Sequence, residues 1–260
     1  MARRVLTYVV AVGTALALAT GCDSGGSPNV GAPTAGVPSA SPSVPEAPAP
    51  STSVPPGKPQ KLRIGAKGAA VLALQRRLTE LGYWNGTADS EFDGTTRQAV
   101  FALQKAAGLG RDGVVGPKTQ KALDQGVRPQ ARSLPGSGYL VEIDLRRQLL
   151  MFVRDGQVDA TLNTSTGSNE YYSYQGRDHL ADTPPGHYGV GRQIDGWRHG
   201  PLGPLWRPKY FNGGIAVHGA SSVPPYPASH GCARVSMAAM DWIWSTGRLP
   251  RKTKVWVYAT

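Results

Sequence analysis

The sequence predicts a multidomain α and β chain, in which a small three-helix bundle precedes a mainly β domain, a sandwich or barrel with one helix near its end. Three observations support this prediction. Apolar residues recur at helical spacing in residues 61–126, and from Tyr139 the pattern changes to that of strands in the predicted β domain, residues 137–260. Residues 22–60, which are rich in Pro, Ser and Ala, form a predicted linker ahead of both domains.

The first 21 residues have the three parts of an export signal. Arg3 and Arg4 precede an apolar run from Val5 to Ala19, and small residues lead to Cys22. The apolar run is too short to cross a bilayer comfortably. We therefore predict a signal peptide in residues 1–21, with a retained membrane anchor as the alternative.

The residues before Cys22 resemble a bacterial lipobox, although Ala19 stands where Leu is usual. This resemblance implies that Cys22 carries a lipid, so that the exported chain is anchored to the cell membrane and faces the cell wall or periplasm. Ordinary secretion is the alternative. At about 3.1 Å per residue, the Pro-rich linker would extend roughly 100 Å from the membrane.

Cysteine is sparse, since Cys22 and Cys232 are the only two. If Cys22 carries a lipid, Cys232 is a free thiol, which exported proteins seldom keep in an oxidising compartment without a use for it. A disulfide between the two is the alternative.

The charge balance is basic, with 28 Lys and Arg against 17 Asp and Glu. It favours contact with anionic wall polymers or lipid head groups, although a well-solvated surface is equally compatible with it. An exported chain without a nucleic-acid motif is not expected to bind nucleic acid. The sequence makes no prediction of the oligomeric state.

The three helices of the bundle are predicted from their apolar spacing and their end signals. Gly82 ends the first helix, Asp93 offers an N-cap for the second, and Pro117 suits the first turn of the third. The predicted helices lie within residues 71–82, 93–108 and 116–123.

Residues 61–126 resemble the small three-helix type of peptidoglycan-binding domain, with Leu103 at a position where Phe is usual. The resemblance implies that the domain holds wall glycan or stem peptide, and packing against a catalytic domain is the alternative. The segments that carry it are residues 65–68, 71–75, 81–83, 92–96 and 112–119.

The alternation from Tyr139 to Leu145 predicts a half-buried strand. An Asp155–Gly156 turn separates the next two predicted strands. Met237–Thr246 is the stretch of this domain predicted to be helical. The further predicted strands lie at residues 148–153, 158–166, 186–192, 214–218 and 254–258.

Two histidines and a cysteine near the end of the chain are the residues best suited to catalysis. His218 ends a predicted buried strand, and His230 and Cys232 follow a Pro-rich loop. A nearby imidazole can take the proton of a thiol and stabilise the reactive thiolate. Gly231 allows a tight turn whose backbone N–H groups form an oxyanion hole, at about 3 kcal/mol per donor. Arg234 supplies a cation close by.

Two alternatives remain for these residues. His218, His230 and Cys232 are possible zinc ligands, but only three are visible and no Cys-x-x-Cys pair accompanies them. The second alternative is that Cys232 is an inert, buried cysteine and that the two histidines lie near it in the sequence by chance. We therefore expect neither a metal nor another cofactor.

The chain resembles the L,D-transpeptidase catalytic domain of the YkuD type over residues 137–259. The most specific match is the pair His218–Gly219 followed by Ser-His-Gly-Cys-Ala-Arg at residues 229–234. Supporting matches lie at residues 141–145, 148–150, 165–167 and 183–188. The loop between the two motifs is shorter than in many members, so the cover over the substrate differs.

The resemblance implies a role for each motif residue. Cys232 would attack the third residue of a tetrapeptide stem, release D-Ala and pass the acyl group to the amine of another stem. His218 would be the general base, oriented by the backbone carbonyl of Gly219. The predicted oxyanion site consists of His230 and Gly231 with the Cys232 amide, and the predicted turn or substrate contacts are Ser229, Arg234, Gly219 and Tyr210.

Four other functions share some of these features. An L,D-carboxypeptidase, in which water replaces the acceptor amine, shares the acyl-enzyme step and is not separable by sequence. A non-catalytic wall-binding lipoprotein is the alternative from another class. An NlpC/P60 peptidase would place its cysteine before its histidine, and a sortase would place its arginine well beyond the cysteine. The resemblance also implies reaction of Cys232 with carbapenems.

Aromatic residues between the strands could line a substrate cleft or serve only as packing. They are the tyrosines of residues 170–182 together with Trp197, Trp206 and Tyr210.

Overall fold

The computed structural model of the chain describes residues 61–259, which belong to one compact unit. The predicted signal peptide, the linker and Cys22 lie outside these residues. In this described range, no helix has the length and apolar character needed to span a membrane.

The helical domain contains α1 (Ala69–Glu80), α2 (Gly94–Ala106) and α3 (Pro117–Asp124). The predicted end signals are confirmed. Asp93 accepts a hydrogen bond from the Thr96 amide at 2.7 Å, which satisfies one of the free N–H groups of the first turn. Gly82 follows α1 with a φ of +79°, a conformation that glycine adopts without strain.

Twelve strands and one helix follow in the described part of the chain. They are β1 (Tyr139–Asp144), β2 (Leu149–Arg154), β3 (Gln157–Asn163), β4 (Tyr171–Tyr174), β5 (Arg177–Leu180), β6 (Gly186–Gly189), β7 (Arg192–Gln193), β8 (Trp197–Gly200), β9 (Gly203–Asn212), β10 (Ile215–Ala220), β11 (Ala233–Ser236), α4 (Met237–Ser245) and β12 (Lys254–Tyr258).

These strands form two larger sheets that share a core, which confirms the predicted mainly β domain and makes it a sandwich. The first sheet has the order β3-β2-β1-β12-β6, and the second has the order β11-β10-β9-β7 with β8 paired to β9. Residues of both sheets and of α4 meet in one apolar cluster. The β4–β5 hairpin stands apart as a two-stranded sheet.

The prediction of a half-buried first strand is wrong, because β1 is buried on both faces. One face contributes Val141 and Ile143 to the core between the sheets, and the other contributes Leu140 to a core shared with the helical domain. Glu142 is therefore fully buried, and its carboxylate accepts hydrogen bonds from the Ser133 amide at 2.8 Å and from the Tyr258 hydroxyl at 3.0 Å.

The predicted single strand at residues 186–192 is also wrong, since the chain changes sheets there. β6 pairs with β12 in the first sheet, whereas β7 pairs with β9 in the second. Gln148 belongs to the turn before β2, where its φ is +61°. The β4–β5 and β8–β9 hairpins were not predicted, because β4, β5 and β8 are largely exposed and lack an apolar alternation.

Candidate active site

Two neighbouring parallel strands bring His218 and Cys232 to one cleft. His218 lies on β10 opposite Arg234 on β11, and Cys232 immediately precedes β11. Alternate residues of a strand face the same side, so Cys232 and Arg234 are directed to the same face of the sheet. Both residues and His218 line a cleft of about 600 Å³.

His218 is buried and held by the backbone of the next residue. Its Nδ1 lies 2.9 Å from the carbonyl oxygen of Gly219. A carbonyl only accepts hydrogen bonds, so we assign the proton to Nδ1 and the lone pair to Nε2. Burial lowers the pKa of His218 to about 4, and the bond to Gly219 only partly offsets this effect. The imidazole is therefore neutral at pH 7.

Cys232 is a free, half-buried thiol. Burial raises its pKa above the ordinary value, against smaller opposite effects of a backbone hydrogen bond at Ala216 and of Arg234. Its Sγ lies 3.9 Å from the carbonyl oxygen of Gly214. The resting site thus combines a neutral thiol with a neutral imidazole, and nucleophilic attack requires transfer of the thiol proton to a base.

The Ser229 hydroxyl closes the turn that carries Cys232. Its Oγ donates to the carbonyl of Cys232 at 2.6 Å and accepts from the Gly231 amide at 3.0 Å. Gly231 has a φ of +130°, and a Cβ at this position would lie 2.7 Å from the carbonyl oxygen of Asp182. Thr183 Oγ1 donates to the Gly231 carbonyl at 2.6 Å. The Gly231 amide is therefore engaged inside the turn.

His230 lies at the exposed mouth of the cleft. Its ring meets that of Tyr172 edge-on, with centroids 4.7 Å apart, and Tyr172 belongs to the β4–β5 hairpin. Among the tyrosines of residues 170–182, for which cleft lining and packing were both open, Tyr172 lines the cleft. Tyr171 instead points into solvent with 76% of its surface exposed.

One wall of the cleft is cationic. Arg192, Arg198 and Arg234 line it, and the described lining residues include no Asp or Glu. The Arg192 guanidinium lies 4.0 Å from the ring centroid of Tyr210, a cation–π contact that holds the arginine over the cleft. Burial lowers the pKa of Arg234 from its ordinary value, but arginine stays charged in proteins.

The β8–β9 hairpin contributes apolar side chains to the cleft beside Arg198. Of the two roles left open for Trp197, the structure shows the first: it lines the cleft together with Leu202 and Leu205. Trp206 is not among the lining residues: its Nε1 donates to Asp241 at 2.7 Å. A Cβ at Gly219 would lie 2.8 Å from Trp206 Cδ1, so a residue with no side chain is required beside the histidine.

Arg192 was not singled out from the sequence, whereas Tyr172 was considered only as one of the tyrosines of residues 170–182. Arg192 reaches the cleft because β7 pairs with β9, which places it opposite Tyr210. Neither the short strand nor this register has a signal in the sequence. Among residues 61–259 no group of three or more His, Cys, Asp or Glu side chains is arranged to hold a metal ion.

Two family models match the chain. Residues 67–123 match a putative peptidoglycan binding domain, and residues 138–257 match the YkuD model, described as the L,D-transpeptidase catalytic domain. The solved structure of residues 123–326 of an L,D-transpeptidase from Xylanimonas cellulosilytica is 53% identical, with a TM-score of 0.75. The alignment covers 78% of this chain and 100% of that one.

Curated relatives match over shorter stretches. The N-acetylmuramoyl-L-alanine amidase CwlL of Bacillus licheniformis is 48% identical over 64 residues, which are 24% of this chain and 18% of the amidase. The amidase CwlM of Mycobacterium tuberculosis is 39% identical over 56 residues, which are 22% of this chain and 14% of that protein. The chain therefore spans less than a fifth of either amidase.

Proposed function

This chain belongs to the L,D-transpeptidase family with a YkuD-type catalytic domain, and from that premise we propose that it cross-links peptidoglycan stems through a thioester on Cys232. The observation that carries the proposal is the shared cleft of His218 and Cys232, in which the Gly219 carbonyl orients the imidazole at 2.9 Å. This arrangement supplies a nucleophile and an oriented base, the two groups that acyl transfer to cysteine needs.

The proposed reaction has two halves. In the first, His218 Nε2 takes the thiol proton while Cys232 Sγ bonds to the carbonyl carbon of the third stem residue. The bond from that carbon to the nitrogen of D-Ala breaks, and the proton passes to the leaving amine. In the second half, the side-chain amine of another stem attacks the thioester, and the thiol is restored. The product joins two third-position residues.

The Cys232 amide is the proposed main donor to the oxyanion. Gly231 and His230 are the other members of the predicted oxyanion site, and the Gly231 amide already donates to Ser229. We propose that Gly231 and Ser229 instead shape the turn that carries Cys232. His230 remains at the mouth of the cleft, beside Tyr172.

The cationic wall is the proposed contact for the donor stem. A stem peptide carries several carboxylates, and guanidinium groups bind carboxylates through charge-assisted hydrogen bonds. Arg234 and Arg192 lie on this wall, and Arg192 makes a cation–π contact with the ring of Tyr210. Gly219 contributes its carbonyl to His218 and not a substrate contact.

The proposed place of action is the cell wall. The matched peptidoglycan-binding domain supports peptidoglycan as the partner. We propose that a lipid on Cys22 anchors the exported chain to the membrane and that the linker, residues 22–60, lets the compact unit reach the wall. The proposed organisation also includes a signal peptide in residues 1–21. The helical bundle, residues 61–126, precedes a catalytic domain in residues 137–260.

The deciding experiment uses a form of the chain covering residues 61–260, which includes both predicted domains. It is incubated with a purified disaccharide-tetrapeptide that ends in D-Ala, beside Cys232→Ala, and the products are read by mass spectrometry. A Cys232-dependent dimer that has lost one D-Ala is expected. Tripeptide alone would indicate a carboxypeptidase, and unchanged substrate would favour a non-catalytic wall-binding role.

A carbapenem adds an independent assay of the nucleophile. We expect the parent chain to gain the mass of one carbapenem and Cys232→Ala to gain none. Equal labelling of both would show that acylation occurs elsewhere and would remove Cys232 from the proposal.

A further inference from the structure

Lys105 is a buried lysine of the helical domain whose side chain ends inside the catalytic domain. It lies on α2 with 2% of its surface exposed. Its Nζ donates to the carbonyls of Gln148 at 2.7 Å and Thr164 at 3.0 Å, and also to Asn163 Oδ1. Three acceptors match the three N–H bonds of an ammonium group, which is the form we assign, although burial lowers the pKa of Lys105 well below its usual range.

Gln98 lies two turns earlier on the same face of α2. It accepts a hydrogen bond from Asn163 Nδ2, and its Nε2 donates to the carbonyl of Val223 at 3.1 Å. Asn163 Nδ2 also donates to Val223 at 3.3 Å. Arg111, beyond the end of α2, donates to the carbonyl of Pro225 at 2.9 Å. The helical domain thus holds the loop that connects His218 to Cys232.

The same contacts continue from Thr164 to the turn of the nucleophile. Thr164 Oγ1 donates to the carbonyl of Arg234 at 2.8 Å, and Ser165 pairs with Arg234 through both backbone groups at 3.1 and 2.9 Å. The carbonyl of Thr166 accepts from the Ser229 amide at 2.9 Å. Segment 164–166 is therefore hydrogen-bonded to Lys105 on one side and to Ser229 and Arg234, which flank Cys232, on the other.

We propose that Lys105 and Gln98 of the helical domain are positioning residues for the active site, acting through segment 164–166 and loop 221–228 on Cys232 and its substrate cleft. This role rests on the proposed function and adds to it, because it makes the helical domain part of the catalytic machinery and not only a wall-binding module. Buried polar groups with fully matched partners fix one arrangement of the chain, and loss of one partner leaves the others unsatisfied.

The test compares Lys105→Met and Gln98→Met with Lys118→Met in the full chain. Lys118→Met is the matched control, because Lys118 is exposed on α3 and the change also removes one charge. Gln98 is only half-buried, so Gln98→Met should perturb folding less. It can therefore be assayed if Lys105→Met does not fold. Thermal unfolding first establishes that each variant is folded at the assay temperature.

The main readout is the rate constant of Cys232 acylation by the tetrapeptide donor at saturating concentration, followed by mass spectrometry. Misplacement of a reacting group by about 1 Å costs on the order of 100-fold in rate. We expect a loss of about 10-fold or more for Lys105→Met and Gln98→Met, none for Lys118→Met, and unchanged binding of Lys105→Met to insoluble peptidoglycan. Parental acylation by folded Lys105→Met and Gln98→Met would overturn the proposal.

Alkylation of Cys232 by iodoacetamide separates this inference from the proposed function. It reports the state of the thiol and needs no stem peptide. If the parent does not use the donor but the two α2 variants change the alkylation rate or its pH profile, the proposed substrate is wrong and the positioning role stands. If the donor is used and neither acylation nor alkylation changes in the folded variants, the positioning role is wrong.

Discussion

The imidazole Nδ1 of His218 bonds to the carbonyl oxygen of Gly219, the very next residue, at 2.9 Å. Many histidines that act as bases are oriented by a distant carboxylate, whereas His218 is oriented by the backbone of the neighbouring residue. The orienting group is a backbone carbonyl, so no side-chain substitution removes it. It also carries no charge that would stabilise an imidazolium. The burial that lowers the pKa of His218 to about 4 is consistent with this uncharged arrangement.

The first prediction concerns the resting state of the thiol. Because burial raises the pKa of Cys232 and lowers that of His218, we expect iodoacetamide alkylation to rise with pH beyond pH 9 without a plateau in the acid range. A preformed thiolate–imidazolium pair would instead give a plateau between about pH 5 and 8. Rates of alkylation measured across this range by mass spectrometry distinguish the two.

The first prediction has a counterpart in acylation by the stem, whose rate should depend on pH differently because it needs neutral His218 as the base. We expect its rate to rise through about pH 4, as His218 loses its proton, and then to stay level towards neutral pH. His218→Ala should lower this rate by about 100-fold or more. An unchanged rate in a folded His218→Ala variant would mean that another group takes the proton.

The second prediction is a loss of stability in acid. The folded pKa of His218 is about 4 and its ordinary value is 6.5, so the unfolded chain binds the extra proton between these two values. The free energy of unfolding should therefore fall as the pH drops from 6.5 to 4, by roughly 3 kcal/mol from this residue. Urea unfolding at several pH values measures it. In His218→Gln, whose amide does not titrate, this part of the slope should be absent.

The third prediction concerns the turn at Gly231. A Cβ there would lie 2.7 Å from a backbone carbonyl, and φ is +130°. We expect Gly231→Ala to lower the acylation rate by at least about 100-fold, because the turn must move and Cys232 with it. Gly110→Ala is the control, since a Cβ at Gly110 meets no atom within 4 Å. Equal activity of the two variants would show that the turn tolerates a side chain.

The fourth prediction separates the ring of Tyr210 from its hydroxyl. Tyr210→Phe keeps the surface under Arg192, so the KM for the donor should change little. Tyr210→Leu removes the cation–π contact, and Arg192→Gln removes the charge itself. We expect each of these two to raise KM by about 5-fold, the equivalent of about 1 kcal/mol, with a smaller change in kcat. A kcat effect without a KM effect would place Arg192 away from the donor.

Local signals in the sequence were enough to predict the helix ends, because capping residues act over a few positions. They were also enough to identify the motif at residues 229–234, because its residues are adjacent in the sequence. The prediction of a half-buried β1 failed for a long-range reason. Glu142 reads as solvent-facing, but Leu140 on the same face packs against the helical domain, and the Glu142 carboxylate accepts a hydrogen bond from the Arg132 amide of the segment between the domains. Arg192 was missed because its place depends on a two-residue strand whose register only the fold determines.

The shared apolar cluster makes each domain part of the other's interior. Val71, Val100 and Leu123 of the helical domain join Met151 and Val153 of the sheet in one core. A catalytic domain without the helical bundle would therefore expose part of this apolar surface to water, at a cost in free energy roughly proportional to the area exposed.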